Sequence, residues 1–230
     1  MSSIMAFRST KTLALVLISA AVGAGAGTLW SSLTPASAVA TETPPFVAEL
    51  GPDALTRGPS AVLLGNPQGD VTVIEFFDYQ CPICRKIHPF VEQLVAEDGN
   101  IRLVHKHWPA FGGVSAHAAR MALAARWQGR YEQFHDALMR VRGRIDEETV
   151  RQAAMAADVN LEQAARDLAE RSAELDAAIS EAAVQARSLQ LPGTPGFVIG
   201  NYLVPGGLDL ASLKEIVAEV RAKQSADRKG

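Results

Sequence analysis

Cysteine is scarce: Cys81 and Cys84 are the only two in 230 residues. No disulfide framework can therefore hold a small fold together, and a tetrahedral zinc site would need ligands from elsewhere. Whatever cysteine chemistry the chain performs is concentrated in that one motif. Charge of one sign is missing too: 22 basic against 25 acidic residues leave a net charge of -3, which supplies no basic footprint for nucleic acid. Disorder is excluded by 48% hydrophobic against 20% charged residues. Length excludes long repeat arrays, since 230 residues make one domain of about 150 to 200 residues plus an appendage.

Acidic residues are absent before Glu42, and that absence has a pattern. Arg8 and Lys11 precede an apolar run from Thr12 to Trp30, followed by Ala36-Ser37-Ala38. A positive start, an apolar centre and an A-x-A site are the three parts of a secretory signal peptide, expected over 1–38. The run also approaches the roughly 20 residues that span a bilayer, so an uncleaved membrane anchor stays open as a tether. Both readings carry the rest of the chain across a membrane, to a periplasmic or other extracytoplasmic bacterial location.

Residues 39–69 hold Pro44, Pro45, Pro52, Pro59 and Pro67 and read as linker and lead-in, with a short edge strand at Ala61 to Leu64. Val71 to Phe77 (VTVIEFF) is β-branched, aromatic and nearly all apolar, the pattern of a central strand covered on both faces. A helix is predicted from about Cys81 to Glu97, with Pro82 in its first turn and Pro89 kinking it, and Ile101 to His107 is the next strand. Strand, helix and strand make a right-handed parallel βαβ unit.

Proline is then missing altogether from Ser115 to Gln190. This alanine-rich stretch predicts helices at about 115–128, 131–142, 146–158, 161–170 and 172–190, with Asp146 and Asn160 as N-caps. Leu191-Pro192-Gly193-Thr194-Pro195-Gly196 breaks the pattern. Phe197 to Ile199 and Tyr202 to Val204 read as strands joined by a Gly200-Asn201 turn, and an amphipathic helix follows from about Asp209 to Lys223.

Two thiols at i and i+3 at a helix start can close a disulfide in one tight loop. The first lies by the free N–H groups and positive dipole end, which lowers its pKa from about 8.5 toward roughly 3.5 to 7.5. Cys81 is then the nucleophile and the better leaving group. Cys84, one turn inside, is shielded and attacks only after a mixed disulfide has formed. The rival is half a metal site completed by His88, His105, His107, His117 or His135. The context favours redox chemistry with no metal and no cofactor beyond the Cys81-Cys84 disulfide, because zinc requires neither the apolar strand before the motif nor the Thr-Pro far downstream.

VTVIEFFDYQCPICRKIHP, followed much later by GTPGFVIG, resembles the DsbA-like branch of the thioredoxin superfamily, and WQGRYEQFHDAL is similar to its helix-loop-helix passage. The resemblance covers most of the chain beyond the N-terminal segment. It implies an α/β thioredoxin fold formed by 70–114 and 191–224 with an all-helical domain, 115–190, inserted. It further implies a thiol-disulfide oxidoreductase with Cys81 as the exposed nucleophile and Cys84 as the resolving thiol. Pro195 matches the family's cis-proline, which turns the Thr194 backbone toward the disulfide to bind an extended substrate segment by strand addition. Glu75, in an otherwise apolar strand, matches an acid kept beneath the disulfide. Its implied role is to relay the proton of Cys84, with a pKa raised by desolvation; a structural partnership with Lys106 or His105 is the alternative.

Implied partners are exported cysteine-containing proteins and a membrane redox partner that resets the disulfide. Strongly oxidising members carry histidine where this chain has Ile83, so a less oxidising potential is expected. Disulfide donation is the first reading. An isomerase or reductase kept reduced by a membrane partner, or a non-catalytic peptide-binding or chaperone-like module, are the alternatives. His88 is read as a rim residue, His105 and His107 as strand-end polar residues on one side of their strand, and His117 and His135 as helix packing or surface.

Overall fold

A computed structural model describes residues 41–42 and 54–228. The expected signal or anchor at 1–38 and most of the expected linker lie outside the described residues. Among the described residues one six-stranded sheet runs in the order β1-β6-β5-β3-β4-β2. Its strands are β1 (Thr41–Glu42), β2 (Val62–Gly65), β3 (Val71–Phe77), β4 (Ile101–His107), β5 (Gly196–Ile199) and β6 (Tyr202–Pro205). Only β3 and β4 pair in parallel; every other neighbouring pair is antiparallel.

The central strand is the one whose sequence has almost no polar residue: all of β3 but Thr72 is buried. Helix α1 (Pro82–Asp98) crosses from β3 to β4. It starts where Cys81, with extended backbone, caps it and Pro82 enters without needing a donor. It stops at Gly99, whose left-handed φ of 68° lets its N–H reach the Val95 carbonyl. Pro89 lies inside it, as expected.

Helices α2 (Gly113–Ala125), α3 (Tyr131–Met139), α4 (Glu147–Ala156), α5 (Leu161–Glu170) and α6 (Ser172–Ser188) fill the proline-free stretch, with a 3-10 turn at Arg126–Gln128. Several run shorter than the periodicity predicts, because alanine continues a helical pattern without marking its end. Asp146 and Asn160 cap α4 and α5, their side chains accepting from the N–H of Thr149 and Gln163. Helix α7 (Leu210–Asp227) follows the β5–β6 hairpin. Gly200 in that turn has φ 56°, and a Cβ there would lie 2.7 Å from Val220 of α7; both the conformation and the close approach require glycine.

Alternation along β3 and β4 sorts the core. Val71, Val73, Ile101 and Leu103 pack with Ile87, Val91 and Leu94 of α1 and Leu213, Val217 and Val220 of α7. Ile74, Phe76 and Val104, on the other face, pack with Ala186, Leu189 and Leu191 at the end of α6. Phe77 and the two cysteines join the helical cluster around Phe134 and Leu138. The edge strand β2 borders β4 one residue beyond its expected span.

Candidate active site

Cys81 and Cys84 meet at the N-terminus of α1, both as free thiols. The Cys84 N–H donates to Cys81 Sγ over 3.3 Å, and Cys81 Sγ lies 3.3 Å from the Thr194 carbonyl. The loop from Gly193 to Gly196 therefore stands against the first turn of α1, with the Thr194-Pro195 peptide bond cis. Cys81 is only 2% exposed. This corrects the expectation of an exposed nucleophile: the Thr194 carbonyl lies over the sulfur that the helix start was expected to present.

The two thiols are tuned in opposite directions. The Cys84 thiol, reinforced by the Cys84 N–H, lowers Cys81 to about 6 despite partial burial. Burial pushes Cys84 far above the ordinary thiol range, helped by its hydrogen bond to Cys81 and by the charge of Glu75. One sulfur is thus a thiolate at neutral pH and the other a thiol.

Register decides the partner of Glu75. It pairs laterally with His105, whereas Lys106 pairs with Phe76 and points to the opposite face. Glu75 Oε2 is 3.8 Å from His105 Nε2, and Oε1 is buried with no hydrogen-bond partner. Of the two structural partners considered from sequence, Lys106 is ruled out and His105 is a distant neighbour. Burial first, and the nearby Cys81 charge second, raise Glu75 to about 8. It is a protonated acid near neutral pH.

The histidines lie deeper than the sequence suggests. His105, His107 and His135 are all buried. His105 Nδ1 lies 3.2 Å from the Tyr131 hydroxyl, which is 2.9 Å from His107 Nε2. The Tyr79 hydroxyl is 3.1 Å from His135 Nδ1. Desolvation lowers His105 to about 3 and pushes the other two well below the usual histidine value, so all three are neutral imidazoles. His105 and His107 stand at the end of β4 and His135 packs from a helix, as expected; only the surface alternative for His135 fails, because α3 lays Tyr131 and His135 over the end of β4 and buries the rings. His88 is buried, with Nε2 2.9 Å from Asp136.

Asp78 escaped the sequence reading although it lies within FFDYQC. Its carboxylate accepts from the Gln80 N–H at 2.7 Å, the Phe111 N–H at 2.9 Å and the Ser115 hydroxyl at 2.7 Å. Its carbonyl accepts from the Cys81 N–H at 3.1 Å. One buried acid thereby ties the cysteine loop to the start of α2. The signal was available as an acid ending an apolar strand, but two of its partners, Phe111 and Ser115, lie more than 30 residues away.

Among the exposed large apolar side chains are Ile83, at 51%, which follows the cysteine motif's Pro82, and Phe111, at 54%, whose N–H is bound by Asp78. Ile83 packs close to Gly207, where an added Cβ would lie 2.7 Å from its Cγ2. An apolar rim therefore flanks the sulfur and the Thr194 backbone.

Residues 57–219 match the Thioredoxin family. A solved thioredoxin-like oxidoreductase from Silicibacter pomeroyi DSS-3 is 44% identical, covering 75% of this chain and 98% of its own at a TM-score of 0.71. A probable disulfide bond formation protein D of Bacillus anthracis is 26% identical over 168 residues, 67% of this chain and 75% of its own length. The Na(+)/H(+) antiporter NhaA 1 of Salinispora arenicola is 29% identical over 163 residues, which are 69% of this chain but 24% of the antiporter. The chain thus spans about a quarter of the length of such curated relatives.

Proposed function

The chain belongs to the thioredoxin family, and we propose that it is a DsbA-like thiol-disulfide oxidoreductase that exchanges a Cys81-Cys84 disulfide with extracytoplasmic cysteine-containing proteins, acting as disulfide donor. The observation that carries this reading is the opposite tuning of the two thiols. A Cys81 thiolate stabilised to about 6 favours the reduced protein and makes its disulfide the oxidising partner.

Substrate thiolate attacks Cys81 Sγ, the Cys81-Cys84 bond breaks, and Cys84 leaves as a thiolate that takes the Glu75 proton. A second substrate thiolate then attacks the substrate sulfur of the mixed disulfide, Cys81 leaves as a stable thiolate, and the substrate disulfide is complete. Both electrons end on the Cys81-Cys84 pair, and a membrane redox partner would remove them. In the reverse direction Cys84 must lose its proton before it attacks, and Glu75 as carboxylate is the acceptor. Thr194 and Pro195 supply the backbone edge along which an extended segment lies, and Ile83 and Phe111 offer it apolar surface.

Export rests on the pattern of residues 1–38. The antiporter name belongs to proteins about four times the length of the matched region, and among the described residues no helix is long and apolar enough to cross a membrane. Equilibration against glutathione buffers tests the direction. The donor reading expects a potential well above about -270 mV, where thioredoxin works as a reductant. A value at or below that would assign the protein to reduction.

A further inference from the structure

A cleft of about 430 Å³ opens between α1, α3 and the β2–β4 edge, away from the cysteines, and its lining includes His88, Glu92, His105, Glu132, His135 and Asp136. Three ligand atoms converge there. His88 Nε2 is 2.9 Å from Asp136 Oδ1 and 3.4 Å from Glu92 Oε2, and the three donors lie within 4.8 Å of one another. His88 and Glu92 are one turn apart on α1; Asp136 comes from α3. The two carboxylates already hold one cation, since Arg140 reaches Asp136 Oδ1 at 2.6 Å and Glu92 Oε2 at 2.8 Å. The Arg140 side chain is 59% exposed, so a cation that displaced it would leave it in water.

An independent observation points to a missing ligand. His135 is 3% exposed, its ring packs edge-on against His88 with centroids 5.1 Å apart, and its Nε2 has no hydrogen-bond partner. It lines the same cleft. A buried polar nitrogen left unpaired is costly, and a metal-bound water beside it would satisfy it.

We propose that His88, Glu92 and Asp136 form a binding site for a borderline divalent cation such as Zn²⁺, distinct from the redox centre; the sequence had offered His88 only as a metal partner of the cysteines. One imidazole nitrogen and two carboxylate oxygens suit zinc, and the remaining position takes water. Binding requires His88 to present its Nε2 lone pair, so one proton is released or moves to Nδ1, and Arg140 gives up its place. The ion would tie the active-site helix α1 to helix α3.

The test uses full-length protein with Cys81 and Cys84 closed as a disulfide, verified by thiol titration, so that no thiolate ligates. Titration calorimetry with Zn²⁺ is expected to show saturable one-to-one binding, with a Tm that rises with zinc. Asp136→Asn and Glu92→Gln should each weaken binding by roughly tenfold or more, while Arg140→Gln should tighten it by removing the competing cation. Both acids are partly exposed, so these near-isosteric changes leave the fold intact, and either one alone decides the location. Co²⁺ in place of zinc should give a visible spectrum without a thiolate charge-transfer band. Absence of one-to-one binding in the parent and in Arg140→Gln overturns the site. So does binding that Asp136→Asn and Glu92→Gln leave unchanged.

Discussion

Glu75 and Lys106 sit one register step apart on neighbouring strands, both buried, on opposite faces of one sheet. On its face Lys106 has company: Nζ donates to the Ser60 hydroxyl at 2.7 Å, and Glu181, which accepts the Ser60 N–H at 3.1 Å, lies close enough to favour the ammonium. Burial lowers it to about 8, yet its donor is used. Glu75 has one oxygen without a partner and a histidine 3.8 Å away, beneath the two sulfurs. A buried charge with a hydrogen-bond acceptor and an opposite charge nearby is at home in the scaffold. A buried acid left unsatisfied beside a titrating thiol is a candidate for a working group.

The largest effect that follows is on the chemical face. Cys81→Ser should abolish exchange, and Cys84→Ser should accumulate mixed disulfides, seen by trapping and non-reducing electrophoresis. Exchange that survives without Cys81 would remove the reason for calling that face functional.

Lys106→Ala should cost stability instead, by about 2 to 5 kcal/mol from the vacated volume and the orphaned Ser60. Urea unfolding measures it, while the alkylation midpoint of Cys81 should stay near 6. A shifted midpoint would break the contrast, because the scaffold face would then be tuning the sulfur.

Glu75→Gln should leave Cys81 attack unchanged and slow attack by Cys84 on a mixed disulfide by about 10- to 100-fold. Stopped-flow with a peptide disulfide and reduced enzyme separates the phases. The same variant changes pH dependence. A carboxyl raised from 4.5 to about 8 contributes stability that is full below 4.5 and is lost as pH rises through about 8. Parent stability should fall across that window by roughly 1.4 kcal/mol per pH unit from this group, and the variant should be flatter. Equal slopes, or two unchanged kinetic phases, would make Glu75 a scaffold acid like its neighbour.

Ile83→His should have the smallest effect, a rise in potential below about 30 mV, because a half-exposed imidazole is screened by water. An unchanged potential in glutathione equilibration would show that this side chain does not act on the sulfur.

Much of this arrangement is local and therefore legible. Cys81 ahead of Pro82 at a helix start, the apolar run of β3 leading into it, the caps Asp146 and Asn160 and the turn at Gly200 all act within a few residues, through capping, periodicity and backbone freedom. The place of Thr194-Pro195 beside the cysteines was readable only through family resemblance, because residue 81 touches residue 194 across the whole helical insert. The depth of His105, His107 and His135 was not readable at all: a histidine is polar by type, and its burial depends on which helix covers it.

What the sequence determined by itself was therefore the sulfur chemistry and the elements that carry it, since helix dipole, cap and strand pattern need no distant partner. Tertiary structure alone decided that Glu75 faces His105 and not Lys106, that Cys81 lies beneath the Thr194 carbonyl, and that His88 meets Asp136 across two helices. Strand register and helix packing set those pairings, and both are settled by the burial of many side chains at once, so no single segment encodes them.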